Sequence, residues 1–316
     1  MTMLGKTANG LTWMARYIER AENIARLIEA GSRMSLTRQA SEGEEWSAIL
    51  TASGAGPAFT EAHGGDFSSA KSVDFLLRDP ANPGRITAAV EAARQNTRMV
   101  RTAVTREVWE AVNDMHLDMV KTLAEPVDRR DLPDVLQNIR RHSALVRGMV
   151  SGTMLRDEIY SFLTLGTFLE RADATARMLD VKYYILLPKD DGVGSELDLA
   201  QWQQMLRSFG VNRAFLGVHG TEYTAQNMAD FLILDARMPR SLAHCTTRVG
   251  RILERIADYH GGPAEPQTLV ADLRAKLAGR DADGIIRGGL HEFLDGFVTD
   301  VAELSNSVAT TYRFTA

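Results

Sequence analysis

The stretch ARYIERAENIAR (residues 15–26) returns as FLERADATAR (residues 168–177), so that Glu19-Arg20 recurs as Glu170-Arg171 at an offset of 151. A second block, residues 45–83, lies over residues 201–239 without a gap at an offset of 156. The two copies share Trp46/Trp202, Leu50/Leu206, Gly54/Gly210, Ala58/Ala214, Phe59/Phe215, His63/His219 and Gly64/Gly220. They also share Asp74/Asp230, Phe75/Phe231, Leu76/Leu232, Asp79/Asp235 and Pro83/Pro239. An internal repeat sets the architecture before any motif is interpreted. The order of the blocks predicts two halves, residues 1–156 and 157–316, packed as one globular unit about a pseudo-two-fold axis.

Within each half the apolar period is helical. Met14, Tyr17, Ile18, Ala21, Ile24, Ala25 and Ile28 fall on one side of a wheel, and Leu165, Phe168, Leu169, Ala172, Ala176 and Leu179 repeat the stripe. After Gly288-Gly289, residues Leu290, Phe293, Leu294, Phe297, Val301, Leu304 and Val308 trace a final helix. Turn signals at G54-A-G-P, H63-G-G-D, D79-P-A-N-P-G, L187-P-K-D-D-G-V-G and H260-G-G-P punctuate the chain. Asn82-Pro83 reads as an N-cap followed by a first helical residue, with Met238-Pro239 as its weaker counterpart. No segment alternates as a strand does. The expectation is an all-α protein, a large bundle of about ten to thirteen helices, far above the usual one-third helix.

Composition narrows the function classes. A net charge of −5 and a pI near 5.9 oppose binding to nucleic acid, which draws its affinity from clustered Lys and Arg. There is no run of 18 apolar residues, and the first residues lack the apolar core of a signal peptide, so no membrane contact and a cytoplasmic location are expected. The single Cys245 excludes an internal disulfide, and no cluster has zinc spacing or the Glu-x-x-His of di-metal bundles, so no metal is expected. Asp114-Met-His116-Leu-Asp118 and the His291/Asp295 pair read as solvated faces. No nucleophile elbow, phosphate loop or dinucleotide fingerprint occurs, so no cofactor is expected. His244 adjoins Cys245 but points about 100° away on a helix, out of reach as a base.

The Glu-Arg step poses the chemical question. Neighbours at i and i+1 face different surroundings, so Glu19 cannot pair with Arg20, nor Glu170 with Arg171. Glu22 with Arg26 and Asp173 with Arg177 have i,i+4 spacing, which leaves Glu19 and Glu170 each requiring a cation from elsewhere. That cation can come from the other copy's Arg, from an Arg on another helix, or from a ligand. Arg94, Arg98 and Arg101 fall within about 60° of one helix face, a row able to take a carboxylate or phosphate, with Arg85 and Arg240 near helix starts as additions. His63-Gly64 and His219-Gly220 read as helix ends, Asp79 and Asp235 as turn-holding side chains, and Trp46, Trp202, Phe59 and Phe215 as core.

These helices, with DFLLRDPANPG (residues 74–84), RQNTRMVRTAVTREVWEAVN (residues 94–113) and RDEIYSFLTLGTFLERAD (residues 156–173), resemble the bacterial alpha-E family over nearly the whole chain. The family's molecular function is unassigned. The resemblance implies an all-helical fold with Glu19, Arg20, Glu170 and Arg171 as signature positions, and Asn96, Arg98 and Arg101 next. It also implies genomic company: circularly permuted ATP-grasp-like ligases and transglutaminase-like proteins, hence a part in making or modifying a peptide. Met238-Pro239-Arg240-Ser241 departs from the small residue usual after the second proline turn.

Two functions follow as expectations. One is a non-catalytic helical partner of such a ligase, in which Glu and Arg fix the bundle. The other is an enzyme or an anion- or peptide-binding protein with its site between the halves, using Glu19 or Glu170 as general base and Arg20, Arg94, Arg98, Arg101, Arg171 and Arg240 as ligand-binding groups.

Overall fold

The structure, a computed structural model, describes residues 3–34, 42–184 and 196–314; the turn expected at Leu187 lies outside the described residues. In chain order the helices are α1 (Gly5–Met34), α2 (Glu42–Ala52), α3 (Gly56–His63), α4 (Ser69–Leu77), α5 (Ile86–Met99), α6 (Arg106–Thr122) and α7 (Leu132–Thr153). They continue as α8 (Glu158–Tyr184), α9 (Glu196–Phe209), α10 (Asn212–His219) and α11 (Ala225–Ala229), which runs into a π-helical turn (Asp230–Leu234). The last are α12 (Leu242–His260), α13 (Glu265–Leu277), α14 (Ala282–Arg287) and α15 (Leu290–Thr311). The fold is all-α, with no strand among the described residues. The count exceeds the expected range because brief elements such as α11 and α14 are too short to show an apolar period.

The helices bearing the two Glu-Arg steps, α1 and α8, pack along each other. Helices α5 and α7 lie against α1, and α12 and α15 lie against α8. Helix α6 rests on α5 and α7, as α13 rests on α12 and α15, while α9 touches α1 and α2 touches α8. Because α1 has neighbours on several sides, burial spreads well beyond the stripe of Leu11, Met14, Ile18, Ala21, Ala25 and Ile28: Ala8, Thr12, Glu19, Asn23 and Ala30, on another face of the helix, are buried as well. A helix covered in this way is an interior element. The crossing with α8 is close. A Cβ at Gly166 would stand 2.2 Å from the Thr12 carbonyl oxygen, and the Thr12 hydroxyl donates to the Phe162 carbonyl at 3.4 Å.

Two aromatic boxes repeat in detail. Phe59 stacks on Phe67 at 5.3 Å and meets Phe75 edge-on at 5.0 Å, and Phe215 stacks on Tyr223 at 5.2 Å and meets Phe231 edge-on at 5.4 Å. His63 and His219 lie against the same rings, and both Trp46 and Trp202 are buried. Gly64 closes α3 in the left-handed conformation, whereas Gly220 takes φ 62° with ψ −139°, outside it. Asp79 and Asp235 hold their turns as expected, accepting from the Ala81 and Arg237 amides at 2.9 and 2.8 Å.

The proline-led helix starts need correction. Helix α5 begins at Ile86 after Arg85, three residues beyond Pro83, because the Asn82 side chain is spent within the turn. It accepts from the Gly84 amide at 2.9 Å and donates to the Phe75 carbonyl at 3.0 Å. Helix α12 likewise begins at Leu242, where Ser241 accepts from the His244 amide at 3.0 Å, and Met238 is core. A serine hydroxyl caps where a thioether cannot.

The Gly166 contact predicts that Gly166→Ala lowers stability by at least about 1–3 kcal/mol, since a backbone carbonyl must yield. Gly148→Ala, on the exposed side of α7 with nothing within 4 Å of the new Cβ, gains about 0.5–1 kcal/mol. Urea unfolding of both variants checks the contrast.

Candidate functional site

The two glutamates exchange arginines across the α1–α8 contact. Arg171 grips Glu19 through Nε and Nη2 at 2.8 and 2.9 Å, and Arg20 grips Glu170 through the same atoms at 2.6 and 3.1 Å. Each Glu therefore takes the Arg next to the other Glu. The planar fork of arginine fits a carboxylate edge, so these are charge-assisted pairs of the strong kind. Each arginine also lies over an aromatic ring one turn earlier in its own helix, Arg20 over Tyr17 at 5.5 Å and Arg171 over Phe168 at 5.3 Å.

The surroundings of the two glutamates differ. Glu170 gains only Arg16, at 2.9 Å from α1. Glu19 gains Arg147 from α7 at 3.1 Å and Arg240 at 3.3 Å. Both arginines also bridge to Glu22, Arg240 at 2.6 Å, and Arg240 reaches the Asn23 side chain at 3.1 Å. Arg26 closes the network, holding Glu22 at 2.7 Å and donating to the Ser208 carbonyl at 2.6 Å. Arg240 is enclosed to 7% exposure, and Glu19 and Glu22 to 1%.

Burial by itself would raise the Glu19 carboxyl. Arg171, Arg240 and Arg147 more than offset it and hold the group well below the usual carboxylate range. Glu170 is lowered in the same way, with burial opposed by Arg16 and Arg20, and Glu22 is lowered by Arg240, Arg147 and Arg26 against burial and Glu19. A general base near neutral pH needs a raised carboxylate, and these are shifted the other way. Burial pulls the Arg240 guanidinium down to about 10 against the attraction of Glu19, so it stays charged at neutral pH. Burial pushes the Cys245 thiol up to about 12, and His244 beside it bonds the Ala236 carbonyl at 2.9 Å instead.

Next to Glu19 a cleft of about 230 Å³ opens between α1, α7, α8 and α12. Met14, Ile18, Val146 and Leu163 give it apolar walls, Tyr160, Thr164 and Thr167 supply hydroxyls, and Glu19, Arg147, Arg171 and Arg248 bring charge. Arg248 lies over Phe168 at 5.2 Å, and its buried Nε–H meets no acceptor among the described residues.

Residues 3–312 match the Alpha-E family, described as a predicted alpha-helical domain with a conserved ER motif. The chain belongs to the Alpha-E family. Two of the chain's Glu-Arg steps, Glu19-Arg20 and Glu170-Arg171, are the ones that exchange partners between α1 and α8. Uncharacterized proteins of Mycobacterium bovis and of a Mycobacterium tuberculosis strain are each 23% identical to the chain over 336 aligned positions. The alignments cover 97% of this chain and 36% of each relative, so the chain spans about a third of the length of the curated relatives it matches. No solved structure matches the chain.

Among the site residues expected from sequence, Glu19, Arg20, Glu170, Arg171 and Arg240 line the α1–α8 contact. The Arg94/Arg98/Arg101 row does not join them. Arg94 donates to the Asn113 side chain at 3.0 Å, Arg98 is exposed, and Arg101 reaches the Val104 carbonyl at 3.5 Å beside Trp109. Arg85 stays within its own turn, bonding the Asn82 carbonyl at 3.0 Å. His116 pairs with Glu91 at 3.1 Å, and His291 with Asp180 at 2.6 Å. No group of three or more potential metal ligands gathers among the described residues, and no helix there is long and apolar enough to cross a membrane.

Arg147 and Arg248 went unforeseen. Each sits on an amphipathic helix beside apolar neighbours, Val146 and Val249, and only the docking of α7 and α12 turns it toward Glu19.

Arg171→Met removes the two-pronged grip on Glu19 while Arg147 and Arg240 remain, so it is expected to cost about 1.5–3 kcal/mol in urea unfolding. The depressed carboxyls give stability that is complete above the ordinary value of 4.5 and is lost as pH falls toward their folded values. Wild-type stability should therefore fall between about pH 5 and about pH 2, and Glu19→Gln should flatten that slope.

Proposed function

We propose that this chain is a non-catalytic helical component of a cytoplasmic system that forms or modifies amide bonds in a peptide. It works beside a circularly permuted ATP-grasp-like ligase and a transglutaminase-like protein. The observation that carries this reading is the saturation of Glu19 and Glu170: the two groups best suited to acid-base work are committed to arginines from the opposite helix. The length of the mycobacterial relatives supports it too, since there a region like this one is joined to about twice its own length of further sequence. A helical part that acts together with others accounts for that arrangement.

The same reading takes the chain as a duplication, with halves 1–156 and 157–316 closing about a pseudo-two-fold axis. Its support is the matched packing of α5 and α7 on α1 with that of α12 and α15 on α8, together with the paired aromatic boxes and the reciprocal Glu-Arg exchange.

One observation favours the second reading, a binding site for an anion or peptide between the halves. The cleft beside Glu19 is lined by three guanidinium groups, and Arg248 there carries a buried N–H without an acceptor. A pocket with apolar walls and few convergent polar groups is the usual form of a ligand site. Glu19 then acts as an anchor for Arg147 and Arg171 rather than as a base.

The partner reading predicts that the purified chain turns over no peptide substrate and is captured by the neighbouring ATP-grasp-like ligase. Pull-down with the tag at either end of the ligase checks this, and failure to associate in both orientations refutes it. Glu19→Gln and Glu170→Gln separate roles: lower melting temperatures mark a structural part, whereas unchanged melting with lost pathway product marks a chemical one.

A further inference from the structure

The two ends of the α1–α8 contact are built from corresponding positions, yet only one is open. At the offset of 151, Trp13 stands opposite Thr164, Arg16 opposite Thr167 and Tyr17 opposite Phe168. At the Glu170 end the larger residues occupy the space. Arg16 lies over the Trp13 ring at 4.5 Å and delivers its Nε to Glu170 at 2.9 Å, and Trp13 packs on Tyr17 at 5.3 Å. At the Glu19 end Thr164 and Thr167 leave the cleft, and the cation role of Arg16 passes to Arg147 on another helix. The protein thus closes one end with an aromatic body joined to a charged head.

We propose that the open end takes the complementary ligand from outside, a single carboxylate on a small apolar body, such as the C-terminal residue of a peptide. This rests on the binding-site reading given above and adds the ligand class. The head is set by the guanidinium groups of Arg248, which lines the cleft and pairs with no carboxylate among the described residues, and of Arg147, whose contacts with the glutamates run through Nη1 alone. The body is set by Met14, Ile18, Val146 and Leu163. At about 230 Å³ the cleft falls below the roughly 300–1,000 Å³ of drug-sized pockets, so it holds about one residue rather than a long segment.

A carboxylate fits better than a phosphate. Met14, Ile18, Val146 and Leu163 line the same cleft, so an apolar body carrying one carboxylate fills it where a bare phosphate leaves those walls uncovered.

Titration calorimetry on the full chain tests this with N-acetyl-leucine, its neutral amide and inorganic phosphate as probes. N-acetyl-leucine is expected to bind saturably at one site, with the amide at least tenfold weaker. Arg248→Met should weaken binding at least tenfold without changing the melting temperature, because Arg248 has no acidic partner to strand among the described residues. Thr164→Trp, which copies the closed end, should abolish binding. The proposal is overturned if the amide binds as well as the acid, if phosphate binds with the same Arg248 dependence, or if N-acetyl-leucine binds no better to wild type than to Arg248→Met. Ligase capture is read separately, so loss of either result leaves the other standing.

Discussion

Burying a carboxylate is the constraint from which the rest of this bundle follows. Glu19 and Glu170 are almost wholly buried, and an unpaired charge in such a place costs several kcal/mol. Geometry forbids each from using the arginine beside it. The solution is reciprocal: each helix lends its arginine to the other, so α1 and α8 can satisfy their charges only in one register. Such a pair contributes less to net stability than to uniqueness, because an apolar substitute would pack comfortably in many registers. The close approach at Gly166 and Thr12 fixes the same register by shape.

Much of this was legible in the chain. The helical stripe of α1 and α8, the repeat and the inability of Glu19 to pair with Arg20 all follow from spacing, and the other copy's Arg was among the candidates named by that argument. The aromatic boxes were visible as Phe59/Phe215 and Phe75/Phe231, residues that recur because their neighbours recur. Tertiary docking was not legible. Arg94, Arg98 and Arg101 form a row only on a continuous helix, but α5 ends at Met99, Arg94 turns to Asn113 and Arg98 to solvent, whereas Arg147 and Arg248 carry no local mark and become important only where α7 docks on α1 and α12 on α8. The helix starts were misjudged because Asn82 has two uses, capping or holding a turn, and the sequence alone does not choose between them.

The likeness of the halves makes their differences informative. At the turn before α12 the chain has Arg240 where the first copy has Gly84, and that one change supplies a buried cation to both Glu19 and Glu22. With Trp13 against Thr164, it makes the two ends of the α1–α8 contact chemically unequal. One end is completed by its own side chains, and the other keeps a charged, apolar-walled opening.

The partners of Glu19 are far apart in the chain. Arg147 follows it by 128 residues, Arg171 by 152 and Arg240 by 221. A nascent α1 leaving the ribosome therefore carries an acid whose counterions have not yet been synthesised. Contacts of such sequence separation must await loop closure and form slowly. The centre of the bundle is therefore completed only once α12 has been made, and a chain cut before it leaves Glu19 and Glu22 without Arg240.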